Sequence, residues 1–218
     1  MRSWNSFNCR NLREKLLSIY ESLLSAYGPQ RWWPGSSPFE VIVGAILTQR
    51  VAWSNVEKAI ASLKEAGLID PQRLDEAPLP EIAALIKPSV YYNTKAEKLR
   101  AFTRFLNERY NGNLDRLFNL DLPSLRAELL SVHGIGEETA DAIILYAAGK
   151  SSFVVDAYTK RILSRLGLIE EKESYRVVRD LFMENLPLDV SLYNEYHALL
   201  VRHGKERCRS RVPLCLSC

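Results

Sequence analysis

Long apolar runs are absent from this sequence, and that absence argues against a membrane-spanning protein. The longest apolar stretches, residues 41–47 and 142–148, are far shorter than the ~20 residues that cross a bilayer. The first fifteen residues carry charges where a secretory signal needs its apolar region, so we expect a cytoplasmic protein. Strand-like alternation, internal repeats and low-complexity segments are missing too, which leaves an ordinary globular chain.

A large excess of one charge is also absent. The 29 basic and 26 acidic side chains give a net charge of +3, which is a weak indication of a polyanionic partner. The distribution of charge is more informative, because two segments are basic. Between residues 95 and 109 a solvated helix face explains the charge equally well, whereas the segment 202–211 surrounds cysteines and is harder to explain in that way. These segments contain Lys95, Lys98, Arg100, Arg104 and Arg109, and Arg202, Lys205, Arg207, Arg209 and Arg211, respectively.

Helical periodicity is present almost throughout the chain. Apolar residues recur at spacings of three and four in about ten segments, which predicts an all-α protein. Several segments end on glycine, the residue that most readily adopts the left-handed conformation of a helix end. These glycines are Gly28, Gly67, Gly112, Gly149 and Gly204.

The stretch from residue 122 to residue 149 predicts two helices joined by the break "HGIG". Gly134 and Gly136 provide a turn without Cβ atoms, so backbone N–H groups beside a helix N-terminus could approach a phosphate closely. An ordinary corner between two helices, with glycines for steric reasons, explains the same pattern. Glu137 and Glu138 fit that alternative too, because acidic side chains are favourable in a first helical turn.

Asp156 follows an apolar run, "SSFVV", and precedes another amphipathic helix. The structural interpretation is an N-cap that accepts backbone N–H groups. The functional interpretation is a partly buried carboxylate that faces a cleft. The two interpretations are compatible with each other.

Hairpin, second helix and "VVD" together resemble the helix-hairpin-helix DNA glycosylases of the endonuclease III superfamily. The resemblance covers most of the chain and implies that His133, Gly134 and Gly136 bind DNA and that Asp156 is catalytic. It also implies a monomer that acts on double-stranded DNA containing damaged bases.

Two further segments resemble this superfamily. In "FEVIVGAILTQ", Gln49 stands at the position whose side chain, in relatives, helps to fill the gap left by an extruded base. In "VYYNTKAEKL", Tyr91 stands where a second intercalating side chain is often found. Both residues are therefore expected to bind DNA.

The position 18 residues before Asp156 departs from the pattern of bifunctional members. Those enzymes carry a lysine there, whereas this chain has Glu138. Without an amine no Schiff base can form at that position, unless another lysine substitutes. The resemblance therefore implies a monofunctional glycosylase.

Tryptophans surround the expected base-binding region. Trp32, Trp33 and Pro34 precede the first family helix, and Trp53 follows Gln49 by four residues. A core role explains any single tryptophan. In combination, "WWP", "LTQ" and the following aromatic resemble the 3-methyladenine DNA glycosylase III branch, which implies an aromatic pocket for alkylated purines.

Physical chemistry supports that pairing. An N3- or N7-alkylated purine is cationic, and a desolvated cation over an aromatic ring gains ~1 to 2 kcal/mol. Its charge also weakens the glycosidic bond, so an ionised Asp156 could suffice to stabilise the sugar cation and supply water. A uracil or thymine mismatch glycosylase and a non-catalytic DNA-binding protein remain as alternatives. Trp32 and Trp53 favour the purine, because neutral pyrimidines gain less from stacked indoles.

The C-terminal cysteines raise the question of a cofactor. Cys208, Cys215 and Cys218 resemble the start of the superfamily's C-x6-C-x2-C-x5-C signature for a 4Fe-4S cluster, whose fourth cysteine would lie beyond residue 218. Cys9 as the fourth ligand and the absence of a cluster are both open, and zinc is disfavoured by the spacing. If the cluster forms, its loop would bring Arg207, Arg209 and Arg211 to phosphates. In relatives without the cluster a modified lysine stands near the position of Arg211.

The resemblance finally implies two helical domains with the active-site cleft between them. Residues 30–148 would form a six-helix module that ends in the hairpin, and residues 1–29 with 149–218 would form the second domain. Asp156 would lie in the cleft. The three histidines, His133, His197 and His203, show no ligand-like spacing and are expected at the surface or at helix ends.

Overall fold

The computed structural model of the chain describes the backbone of residues 6–215 and the side chains of residues 12–215. The described residues are helical with no strand, which confirms the all-α prediction. They form α1 (Ser6–Tyr27), α2 (Pro38–Leu47), α3 (Trp53–Glu65), α4 (Pro71–Glu76), α5 (Leu79–Leu85), α6 (Tyr92–Tyr110), α7 (Leu114–Phe118), α8 (Leu122–Ser131), α9 (Glu137–Ala142), α10 (Ala157–Arg165), α11 (Tyr175–Asn185) and α12 (Val190–Glu206). None of these helices is long and apolar enough to cross a membrane.

The chain divides into two compact units. The unit formed by the middle of the chain, Pro34–Lys150, contains α2 to α9 and is called the inner unit for its place in the sequence. The outer unit comprises Met1–Trp33 and Ser151–Cys218, of which α1 and α10 to α12 are described. The expected cleft between two domains stays a prediction.

Two short helices of the inner unit were not predicted from the sequence. Helices α4 and α7 have six and five residues. Each begins at a polar cap, because Asp70 and Asn113 accept the backbone N–H of the third residue beyond them. A helix of one or two turns is too short to show a hydrophobic period, and the inner unit therefore holds eight α-helices instead of the expected six.

Helix α2 forms the centre of the inner unit. Every residue from Phe39 to Leu47 is buried, and the helix packs against α3, α6, α9 and the segment that follows α9. Ser37 caps its N-terminus by accepting the N–H of Glu40, and Pro38 occupies the first helical position. The core element therefore delivers its C-terminus, Thr48 and Gln49, to the surface of the unit.

The predicted hairpin is present, with one difference in its second helix. Helices α8 and α9 flank the turn at residues 132–136, and α9 continues into a π-helical segment, Ile143–Ala147. The sequence predicted one continuous helix here. A π turn is a single widened turn that leaves the apolar period of "AIILYAA" almost unchanged, so the pattern does not reveal it.

Close packing of α10 on α12 organises the outer unit. A Cβ atom at Gly204 would come within 2.4 Å of the Tyr158 ring, so this glycine lets the two helices approach. Gly204 lies inside α12, and its prediction as a helix stop is wrong. Gly28, Gly67, Gly112 and Gly149 do have positive φ and follow their helices or the π segment as predicted.

Candidate functional site

Asp156 is the N-cap of α10, as the sequence predicted. Its Oδ1 accepts the backbone N–H of Thr159 at 2.7 Å. The apolar run before it is buried from Ser152 to Val155, so the position of the carboxylate is fixed by the core on one side and by a helix on the other. The side chain is 13% exposed.

His197 of α12 is the ionisable partner of this carboxylate. Its Nε2 lies 3.7 Å from Asp156 Oδ2, and the residue is only 7% exposed. Burial lowers the pKa of His197 below its usual value, and this outweighs the opposing effect of Asp156. The imidazole is therefore neutral at pH 7.

The prediction that the histidines lie at the surface or at helix ends is wrong for His197, which is buried in the middle of α12. His203 does lie in the last turn of α12, but it is buried. His203 Nδ1 meets the Tyr27 hydroxyl at 2.9 Å. His133 is exposed in the hairpin turn, as predicted. Sequence spacing missed His197 because its partner is 41 residues away, and only the packing of α10 on α12 joins the two side chains.

Trp32 and Trp33 are half-buried, and their ring centroids lie 5.2 Å apart. The segment before them is held against α12. Gln30 donates its backbone N–H to Glu195 Oε1 at 2.5 Å, and Arg202 donates to the Tyr27 carbonyl at 3.1 Å. Neither indole belongs to the fully buried core.

Pro34 and Trp53 line one cavity of the inner unit. The cavity has a volume of about 200 Å³, and Glu40, Glu57, Ile60, Ala61 and Lys64 complete its lining. Trp53 is half-buried at the start of α3, and its indole N–H donates to Glu57 Oε1 at 2.8 Å. Two of the four predicted pocket residues therefore share a cavity within the same unit.

The two hairpin glycines differ in what they are needed for. Gly134 has φ +85°, and a Cβ atom there would come within 2.3 Å of Lys98 Cγ. Gly136 is the N-cap of α9 in extended backbone, and a Cβ atom there would meet nothing within 4 Å. The positive φ and the contact with Lys98 thus explain why residue 134 is a glycine. At Gly136 the space is open, and a phosphate could approach there.

Gln49 is bound to the hairpin. Its Nε2 donates to the Gly134 carbonyl at 3.1 Å and to Thr139 Oγ1 at 3.0 Å, while its Oε1 accepts from Lys98 Nζ at 2.5 Å. The expected DNA-inserting side chain and the expected DNA-binding hairpin are therefore one hydrogen-bonded assembly. Lys98, which joins them, was not singled out from the sequence for this role.

Tyr91 and its neighbour Val90 form an exposed apolar pair before α6. Their exposed fractions are 66% and 47%. Both have positive φ, +47° and +55°, which is unusual for any residue with a side chain and an outlier for a β-branched one. The backbone thus holds two apolar side chains out from the surface in a conformation that glycine normally supplies.

Of the two basic segments, the one from residue 95 to residue 109 is largely occupied within the protein. Lys95 is buried, Arg100 donates to the Ala77 carbonyl, and Arg109 pairs with Glu128 at 2.7 Å. This segment is therefore not a simple solvated face. In the C-terminal segment, Arg209 and Arg211 are exposed, and no described contact assigns Arg211 to a pocket.

The C-terminal loop is held by two arginines of α10. Arg161 donates to the carbonyls of Gly204 and Cys208, and Arg165 donates to the carbonyls of Arg209 and Ser210 and to Cys208 Sγ at 3.3 Å. Cys208 is half-buried and Cys215 is exposed.

The cluster ligands are only partly described. Cys218 lies outside the described residues, and so does the side chain of Cys9. Within the described part of the chain no group of three or more His, Cys, Asp and Glu could hold a metal ion. Two thiols do not suffice for a 4Fe-4S cluster, so the described residues alone do not fit this cofactor.

Comparison with known proteins gives a consistent picture. Residues 43–188 match the HhH-GPD superfamily of base excision DNA repair proteins. A Methanocaldococcus jannaschii protein, provisionally named a DNA repair glycosylase, is 47% identical over 95% of this chain and 94% of its own length. Endonuclease III of Sulfolobus acidocaldarius is 30% identical over 95% of this chain and 89% of its own.

Among solved structures, the Helicobacter pylori 3-methyladenine DNA glycosylase bound to 1,N6-ethenoadenine is similar to this chain. The TM-score is 0.76 at 27% identity, over 91% of this chain and 97% of that one. The family match and this structural likeness agree with the resemblance stated from the sequence motifs.

Proposed function

Because this chain belongs to the HhH-GPD superfamily, and hence to the DNA glycosylases of base excision repair, we propose that its substrates are alkylated purines in double-stranded DNA. The proposed reaction is hydrolysis of the N-glycosidic bond of an extruded nucleotide, with 3-methyladenine as the first candidate base. Extrusion costs a few kcal/mol and least for a damaged base, which favours lesions over normal nucleotides.

The observation that carries the proposal is the environment of Asp156. One carboxylate oxygen caps α10, and the other lies 3.7 Å from the neutral imidazole of His197. In the proposed reaction the negative charge stabilises the positive charge that develops on the sugar, and Oδ2 accepts a proton from the attacking water. A cationic purine leaves without being protonated, so no separate general acid is required.

Aromatic side chains support a purine as the substrate. Trp32, Trp33 and Trp53 are half-buried, and Trp53 borders a cavity. An electron-poor alkylated purine gains from such faces. The similar H. pylori enzyme is bound to a modified adenine, which favours a purine over a pyrimidine here.

The monofunctional mechanism is a further part of the proposal. Glu138 lies exposed in the first turn of α9, where the lyase route would need an amine. Three lysines make hydrogen bonds within the protein: Lys95 donates to two carbonyls, Lys98 to Gln49 and Lys160 to the Glu173 carbonyl. We therefore propose that the enzyme releases the base and leaves the abasic strand intact.

The direct test is to incubate the protein with methylated duplex DNA and to identify the released bases by chromatography. The expected products include 3-methyladenine, and 7-methylguanine should be assayed as a second product. Duplexes with uracil or a thymine mismatch serve as the alternative substrates. Release of a pyrimidine without any alkylated purine would overturn the substrate proposal, and DNA binding without any release would favour a non-catalytic protein.

The 4Fe-4S cluster is proposed separately. It rests on the spacing of Cys208, Cys215 and Cys218 and requires a fourth ligand. Iron and sulfide analysis of protein purified without oxygen would test it, and a Cys215→Ser variant provides the matched control. Less than one iron per chain in both proteins would overturn it.

A further inference from the structure

Lys95 is a buried amine that joins two separate surface segments of the inner unit. It lies in the first turn of α6 and is 2% exposed. Its Nζ donates to the Leu47 carbonyl at 2.8 Å and to the Ser89 carbonyl at 2.5 Å. Leu47 is the last residue of α2, and Ser89 is the last residue of the short 3-10 turn Lys87–Ser89.

Each of these carbonyls lies two residues before a predicted DNA-inserting side chain. Leu47 precedes Gln49, and Ser89 precedes Tyr91. The two segments are far apart along the chain, since Tyr91 is 42 positions after Gln49. A single amine therefore bonds to both segments.

Both segments also contain backbone that would not hold its conformation alone. Arg50 has φ +57°, next to Gln49, and Val90 and Tyr91 have φ +55° and +47°. Left-handed backbone at residues other than glycine persists only where the surroundings determine it. The Lys95 ammonium is one contact that the two segments share, because it bonds a carbonyl in each.

A purely structural role accounts for this lysine less well. The Leu47 carbonyl at the end of α2 needs a donor, but water or a hydroxyl could serve at a helix end. A buried lysine is an expensive solution, because its charged group must leave water. The long side chain of Lys95 allows one amine to donate to two carbonyls from different elements.

We propose that Lys95 is a positioning residue that couples the Gln49 and Tyr91 segments, so that both side chains enter the duplex as one unit when a nucleotide is extruded. This inference rests on the proposed function. The ligand concerned is duplex DNA with a vacated base position, for which an abasic-site analogue is the practical probe.

Lys95→Met is the informative substitution, because methionine fills a similar volume but donates no hydrogen bond. Thr103→Val is the matched control. Thr103 is buried on the same helix and donates to Asp75 Oδ1 at 3.1 Å, well away in sequence from both segments. Each variant removes the hydrogen bonds of one buried side chain of α6, two at Lys95 and the one to Asp75 at Thr103, so Thr103→Val controls for the loss of a polar contact in this helix.

The expected result is that Lys95→Met weakens binding to duplex DNA containing the abasic analogue by about tenfold, the value of one charged hydrogen bond. Thr103→Val should bind as the unaltered protein does. A fluorescent adenine analogue placed beside the lesion should report less extrusion at saturating Lys95→Met. Should methionine prevent folding, Lys95→Gln retains one donor and gives the same comparison with a smaller loss.

A double-mutant comparison separates positioning from stability. In a Gln49→Ala/Tyr91→Ala background the segments have no side chains to position, so Lys95→Met should cause no further loss of binding. A full tenfold loss in that background, or equal losses for Lys95→Met and Thr103→Val, would overturn the inference. Failure of the unaltered protein to bind the probe would instead overturn the proposed function.

Discussion

The carboxylate of Asp156, the N-cap of α10, lies 3.7 Å from the imidazole of His197, in the middle of α12. Asp156 is held by its N-cap bond to Thr159, and His197 is held by burial in α12. The Asp156 carboxylate is thus held on a rigid support. A catalytic carboxylate needs such a support when the charge it stabilises appears only in the transition state.

Asp156→Asn should separate the charge of this residue from its structural role. Asparagine is about as good an N-cap as aspartate, so the unfolding free energy should change by less than about 1 kcal/mol. Excision of alkylated purines should fall by about 100-fold or further. Binding to duplex DNA with an abasic analogue should remain largely intact. Equal losses of binding and excision, or unchanged excision, would contradict the catalytic assignment.

Glu138→Lys should introduce covalent chemistry that the unaltered protein lacks. Borohydride should trap no adduct between the unaltered protein and lesion DNA, because glutamate cannot form a Schiff base. With lysine in the first turn of α9, we expect a trapped adduct that a denaturing gel resolves. A trapped band from the unaltered protein would refute the monofunctional proposal, and Lys98→Met would then show whether Lys98 supplies the amine.

Acid should destabilise the protein in a way that depends on His197. Burial lowers the pKa of His197, whereas an unfolded histidine binds its proton at about 6.5. Below that pH the unfolded state holds more protons than the folded state, so the unfolding free energy falls as the pH falls. Urea unfolding at pH 7.5 and 5.5 should show a smaller decrease for His197→Gln than for the unaltered protein. Parallel curves would show that His197 does not contribute.

The hairpin glycines should respond to alanine in opposite ways. Gly134→Ala should cost about 2 kcal/mol or more in unfolding free energy, because φ is +85° and the methyl group would meet Lys98. Gly136→Ala should cost about 1 kcal/mol or less, since the backbone is extended and the space is open.

The Gly136→Ala substitution, which should cost little stability, should nevertheless weaken DNA binding. Its methyl group would occupy the space where a phosphate approaches the N-terminus of α9, so we expect binding to duplex DNA to weaken by about tenfold. Fluorescence anisotropy with a lesion-free duplex measures this. Unchanged affinity for Gly136→Ala would indicate that the glycine serves the turn alone.

Much of the fold could be read from the sequence because the helices are long enough to show their period. The ten predicted helical segments are present, whereas α4 and α7 were missed because a single turn or two carries no periodicity. The N-cap role of Asp156 was likewise predictable, since capping depends on neighbours along the chain. Gly204 was misread, because close helix packing and a helix stop both call for glycine.

Local order along the chain, in short, determined the helices, the hairpin and the position of the catalytic candidate, because each depends on residues a few positions apart. Tertiary structure alone decided which side chains meet. It placed His197 beside Asp156, bound Gln49 to Gly134, and buried Lys95 between the ends of two segments. The first two contacts join residues 41 and 85 positions apart, and Lys95 joins the ends of two elements through one side chain. No sequence period extends over such distances.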